Sequence, residues 1–422
     1  MSFSFRHLEK CVFGLHNVRV ISHREELMEK RVLTRRQARR GFVAATIIFL
    51  TVFASTAIPI PLYSTYQQTI GLTTTDISNT MLTYLIGVVL MLLFAGRISD
   101  ALGRKPVTII TIIFAIVGCV LFMEAQSAAS VLTARFVQGV TSGLSMSAIS
   151  TLVIDCASYY HLSWGSIVSS CGPMFGIMLG SLGVGALYAV IPNVFVAFAL
   201  MVGLLLASML LMVFIPEPIE KRASFRASLK VRFFVPKNAR LLYVVTGALY
   251  VATWSVGCFF QSFSAPIATT CFDATTPLLG SAILATTMAP SVLGDPLTSR
   301  LCPSVALRLG SVIFLISCIG LTFVVDSHIA WLYLVVCVIF SLAMGSCVST
   351  SLRMLLLAVD ASQTSAIVSS VNLTAYIGSA IATVLTGALL NATSYFVVFA
   401  SLTVLAALVT AGVVGFAKRF DS

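Results

Sequence analysis

Three cations and a carboxylate crowd into Gly96-Arg97-Ile98-Ser99-Asp100-Ala101-Leu102-Gly103-Arg104-Lys105-Pro106, a loop between two long apolar runs. Arg97, Arg104 and Lys105 suit a membrane boundary, where cations meet lipid headgroups. Asp100 at such a boundary needs a cation or the positive N-terminal end of a helix. Gly103 permits a turn that a side chain would hinder. Arg135 stands inside a later apolar run, where a charge is costly unless it faces a cavity or a partner. Gln138 and Ser142 follow it at helical spacing as one polar stripe. Gly139 and Gly143 clear a face for close helix contact. Asp155, at the far end of the same run, is expected to pair with Arg97 or Arg104. These groups can gate, couple or anchor. No Asp, Glu or His stands near the middle of any apolar run, so no catalytic carboxylate, His or Cys–His group can be assembled there, and an enzyme is not expected.

The elements that position these residues follow from composition. Of 422 residues 58% are hydrophobic and 10% charged, with a mean hydropathy of +1.01. A soluble domain could not hide so much apolar surface. A helical span takes ~20 apolar residues, and twelve such runs occur, near 41–62, 78–96, 106–125, 129–152, 164–189, 193–215, 240–262, 276–296, 305–325, 329–350, 363–390 and 393–416. Short alternating segments of the kind that build membrane barrels are lacking. With the N-terminus inside, 25 of the 26 Lys and Arg fall in segments assigned to the cytoplasm, Arg135 being the exception. That bias predicts a multi-pass protein of the cell (inner) membrane with both termini cytoplasmic. It assigns the net charge of +11 to lipid headgroups rather than to nucleic acid.

The ten cysteines show no C-x-x-C pair; they read as apolar span residues, with neither a disulfide frame nor a metal site expected. No Walker motif or other cofactor signature occurs. Residues 1–40 form a basic arm with no signal-peptide core. The rest divides into a six-helix bundle (41–216), a linker (217–239), a second six-helix bundle (240–416) and a short tail (417–422). In the linker Arg222, Arg226 and Lys230 recur every four residues, beside Phe225, Leu229 and Phe233. This is either an amphipathic helix on the headgroups or a solvated connection. Asp100 and Asp295 end corresponding spans 195 positions apart, as Asp155 and Asp360 do 205 apart, which predicts two pseudo-symmetric halves. The second loop, Gly294-Asp295-Pro296-Leu297-Thr298-Ser299-Arg300, has lost the spacing of the first, so the halves are expected to work unequally at this face.

The pattern G-x-x-x-D-x-x-G-R-K in the first loop resembles the signature of the major facilitator superfamily. Arg135-Phe136-Val137-Gln138-Gly139 is similar to that family's R-x-x-Q-G on the fourth helix. Gly172-Pro173-Met174-Phe175-Gly176 resembles the G-P-x-x-G-G of its exporter branches, with Ile177 in place of the second glycine. Pro59 and Pro61 match a proline pair of the exporters, while Ala54, Ser55 and Thr56 occupy the turn where many carry an aspartate. The resemblance implies an all-α fold of twelve transmembrane helices in two six-helix bundles. It implies a monomeric secondary transporter exporting drug-like or metabolite molecules by alternating access, with protons as a candidate coupling ion and membrane lipids around it. Gly96, Asp100, Gly103, Arg104, Lys105, Asp155, Gly172 and Pro173 would then serve gating, with Asp100 latching onto the eleventh helix near Ser362-Gln363-Thr364. Arg135 and Gln138 would serve coupling, or Arg135 would merely snorkel. Tyr250, Trp254 and Gln261 on the seventh span, and Asn372 and Tyr376 on the eleventh, are candidates to line the substrate cavity, or else packing residues. An importer of a sugar or metabolite on the same fold, and a non-transporting receptor or scaffold, are the alternatives.

Overall fold

The computed structural model describes residues 34–95, 98–159, 162–215, 217, 239–359 and 364–417. The first half holds α1 (Arg35–Ala57), the short α2 (Tyr63–Ile70), α3 (Thr74–Ala95), the single-turn α4 (Ile98–Leu102), α5 (Arg104–Met123), α6 (Ala128–Ala157), α7 (Leu162–Val190) and α8 (Val194–Leu211). The second holds α9 (Arg240–Cys271), α10 (Leu278–Met288), the short α11 (Gly294–Thr298), α12 (Pro303–Val324), α13 (Ala330–Leu357), α14 (Thr364–Ala392) and α15 (Tyr395–Ala417). Twelve spans among the described residues are long and apolar enough to cross a membrane, α10 and α11 together making the eighth. Large apolar side chains such as Leu210, Phe323, Trp331 and Leu408 stand outward, two-thirds exposed, as the hydrocarbon of a bilayer requires.

Local chemistry sets the ends. Thr34 and Gln37 form a capping box that starts α1, and Ser127 with Ser130 starts α6, each satisfying backbone N–H groups that have no helical acceptor. Asn193 caps α8 through Phe195 and Val196. Hydroxyls buried in the spans bond back to carbonyls of their own helices, as Thr111 does to Val107 and Thr253 to Leu249. Several limits differ from the sequence reading: the fourth span, read to 152, runs to Ala157, and the tenth, read to 350, runs to Leu357. The helix that reads as beginning near 41 starts at Arg35, inside the basic arm. The seventh span, read as ending at 262, runs to Cys271, because Pro266 sits within it without stopping it and Thr269 and Thr270 bond to carbonyls one turn back. Gln261 consequently lies within the helix and half-buried, not at its outer end.

Alternating helix directions gather Arg35, Arg104, Lys105, Arg240, Arg308 and Arg353 at one face of the bundle, termed the basic face. The halves meet along α7 with α10 and along α3 with α14. Four hydrogen bonds join the halves among the described residues. They link Ser64 with Thr269 (3.3 Å), Ser78 with the Thr383 carbonyl (2.8 Å), Ser181 with the Ser281 carbonyl (3.3 Å) and Asn391 with Thr75 (2.6 Å). All four lie towards the face opposite the basic one.

Candidate functional site

At the basic face Gly103 adopts φ 102° and ψ 152°, a conformation open essentially to glycine alone, and turns the chain from α4 into α5. The turn presents Arg104, 9% exposed, between two carboxylates. Its Nη1 donates to Asp100 Oδ1 at 2.5 Å and to Ser99 Oγ at 2.6 Å, and its Nε donates to Asp155 Oδ2 at 3.1 Å. Asp155 thus meets Arg104, one of the two cations expected for it. Asp100 is engaged within its own half by the same arginine. Gly96, Arg97, Ser362 and Gln363 lie outside the described residues, as do the amphipathic stretch 222–233 and Asp360.

A residue that sequence reasoning passed over completes this loop. Glu217 accepts the backbone N–H of Arg104 at 2.9 Å and of Lys105 at 3.0 Å. It supplies two acceptors to the orphan donors at the start of α5 and a negative charge at the positive end of its dipole. The available signal was a lone acid between Pro216 and Pro218, directly after the sixth span.

Arg135 is almost wholly buried (1% exposed) in the first half, so it neither snorkels nor looks into a water-filled cavity. Its partner is the broken end of α1. Pro59 has no N–H, which leaves the Ser55 carbonyl without its helical donor. The N–H of Ile60 turns to the Ala57 carbonyl at 3.1 Å, away from Thr56. The Arg135 guanidinium donates to the Thr56 carbonyl (2.8 Å) and to Gln138 Oε1 (2.8 Å), and the Gln138 amide donates to the Ser55 carbonyl (3.0 Å). A cation thereby sits at the negative end of α1. The rings of Tyr63 and Tyr84 flank it, 5.6 and 5.2 Å from the guanidinium carbon, in cation–π geometry. Tyr84 donates in turn to Ser142 at 3.0 Å.

Three glycines of α7, Gly172, Gly176 and Gly180, fit it against α1. A methyl group on Gly172 or Gly176 would run into Phe49 or Phe53, and one on Gly180 into the Ala54 backbone. Gly139 and Gly143 fit α6 against α3 in the same way. In the second half Tyr250, Trp254 and Tyr376 form one aromatic run, with ring centroids 5.8 and 4.9 Å apart. Tyr376 also walls an entirely apolar groove of about 410 Å³ between α3 and α14. Gln261 and Asn372 are half-buried and take no part in that aromatic run. No group of three His, Cys, Asp or Glu among the described residues could hold a metal.

The model of the major facilitator superfamily matches residues 45–383. The chain belongs to the major facilitator superfamily. It is a multi-pass membrane transporter, with twelve helices among the described residues long and apolar enough to cross a membrane, and not an enzyme. The chain is similar to multidrug resistance protein MdtL of Klebsiella pneumoniae (strain 342), 36% identical over 76 residues, which is 18% of this chain and 19% of that protein. The like-named protein of Citrobacter koseri is 40% identical over 60 residues, 14% and 15% of the two chains. That of Shewanella sp. (strain ANA-3) is 35% identical over 74 residues, 18% and 19%. These matches span less than a fifth of the relatives' length. For a facilitator chain, the Arg104 cluster and the Arg135 cluster are separate pieces of equipment. One binds the loop after the second span to the ends of α5 and α6, and the other locks the break in the first span.

Proposed function

We propose that this transporter exports small organic molecules across the cell membrane by alternating access, its basic face and both termini in the cytoplasm. The observation behind the reading is the placement of the contacts between the halves. Among the described residues the four hydrogen bonds joining them lie at the face opposite the basic one, which supports a chain closed on the outer side. Asp100, Gly103, Arg104, Lys105 and Asp155 form the charged gate of the cytoplasmic side, with Gly96 in the same loop. Gly172 and Pro173 set the packing of α7 on the first span. Arg135 and Gln138 couple the two by holding the Pro59 break, so that movement of the lower part of α1 passes to α6 as a rigid unit. The aromatic run of Tyr250, Trp254 and Tyr376, with Gln261 and Asn372 nearby on the same helices, faces a substrate of neutral, amphipathic character. No carboxylate on the described parts of the spans lies at mid-membrane to select a multivalent cation. The names of the relatives, multidrug resistance proteins, agree with export.

Cells expressing the chain should retain less of at least one dye or antimicrobial, and a protonophore should abolish the difference if protons drive the cycle. Faster accumulation of a sugar or metabolite would reverse the assigned direction, and an unchanged content of every solute would remove the transport reading altogether.

A further inference from the structure

Two of the contacts between the halves are copies of one device. On α7, Ser181 and Gly185 are one turn apart; on α14, Thr383 and Gly387 repeat them 202 positions later. Opposite them stand Ser281 on α10 and Ser78 on α3, 203 positions apart. Ser281 fills the notch at Gly185, where an added methyl would stand 2.8 Å from its Cβ and 3.2 Å from the Leu278 Cα. Ser78 fills the notch at Gly387, where an added methyl would overlap its side chain. Each notch is closed by one hydrogen bond of opposite direction. Ser78 donates to the carbonyl of Thr383, and Ser181 donates to the carbonyl of Ser281. All four hydroxyl residues are buried, none more than 3% exposed. Neither notch contains a charge, unlike the Arg104 cluster at the basic face.

We propose that these two serine-in-glycine notches form a single pseudo-symmetric clasp that holds the outer face shut, each notch opening only when the other does. Within a half the helices are packed through close glycine contacts and buried polar bonds, so each half moves as a body. A body that rotates about the centre separates α7 from α10 and α3 from α14 in one motion. The two notches straddle that motion at equivalent sites, which is the arrangement an all-or-none closure needs. The small side chains permit the approach, and the hydroxyl bonds give it a preferred register. The proposal rests on the alternating-access reading.

The test places cysteines at Thr75 and Asn391, whose side chains meet at 2.6 Å beside the Ser78 notch, and follows cross-linking by a short bifunctional thiol reagent in membranes. The same chain without these cysteines is the control. Gly185→Ala overfills the distant notch, and should slow the Thr75→Cys/Asn391→Cys cross-link by roughly tenfold, the effect of one overpacked helix contact. Adding Ser281→Gly removes the knob and should restore the rate, which distinguishes a fitted notch from general misfolding. Gly387→Ala should likewise slow the cross-link on the near side. An unchanged cross-linking rate in Gly185→Ala, or a loss that Ser281→Gly fails to recover in a monodisperse protein, overturns the coupled clasp. A clasp behaving as expected in a chain that moves no solute would keep this inference and remove the transport reading.

Discussion

Arg104 holds two carboxylates and a serine with one guanidinium, a task that depends on the planar, forked geometry of arginine. Arg104→Lys keeps the charge but offers a single ammonium to partners on two sides. The expected result is a lower unfolding midpoint in detergent, by the few degrees that follow from losing about 1.5–3 kcal/mol of charge-assisted bonding. Arg104→Gln should lower it further, since Asp100 and Asp155 are then left facing one another; a midpoint equal to wild type in both would show that the cluster adds nothing to stability. Arg135 differs in kind. The described residues give it a backbone carbonyl, an amide oxygen and two aromatic faces as partners. Arg135→Lys cannot reach Thr56, Gln138 and both tyrosine rings at once, so transport should fall at least about tenfold with the protein still inserted, the consequence of ~1.4 kcal/mol lost from one state. A lysine variant with full transport would leave Arg135 a packing residue only.

Among the elements, the break between α1 and α2 is where local sequence and tertiary contact depend on one another most closely. Pro59 and Pro61 interrupt the helix, and Arg135 and Gln138, 79 and 83 residues away from the carbonyls they serve, satisfy what the prolines expose. Pro59→Ala would return an N–H to the Ser55 carbonyl and compete with Gln138 for it. Removing an unstrained break stabilises a helix, so the variant should be at least as stable as wild type in detergent and slower in transport. Loss of both stability and transport would mean that the break serves packing rather than movement. These elements also mark what could be read beforehand. The spans, the glycine faces and a pairing of Asp155 with Arg97 or Arg104 were legible because periodicity, residue size and charge are local properties of the chain. Glu217 was not, since its role depends on a loop 113 positions away that only the folded bundle brings beside it. The destination of the Gly172–Gly176–Gly180 face was equally hidden, because small residues announce a close contact without naming the partner helix.

Across the whole molecule the two halves repeat their architecture and differ in their charges. In the first, Asp100 and Asp155 meet Arg104 at 2.5 and 3.1 Å, with the arginine side chain 11% exposed. In the second, the corresponding Asp295 lies 3.9 Å from Arg353, and the two side chains are 54% and 33% exposed. A pair that open to water contributes ~0–1 kcal/mol, whereas the half-buried cluster of the first half is screened far less. The eroded spacing of the second loop explains the difference, because no arginine stands four residues after Asp295 to fold back onto it, and the cation comes from α13 instead. Asp295→Asn should therefore change the unfolding midpoint and transport little, while Asp100→Asn, at the equivalent position, should change both. Raising salt should diminish the small Asp295 effect and leave the Asp100 effect largely intact. Equal responses of the two aspartates would mean that the charge network works symmetrically, and that the basic face is gated by both loops despite their different geometry.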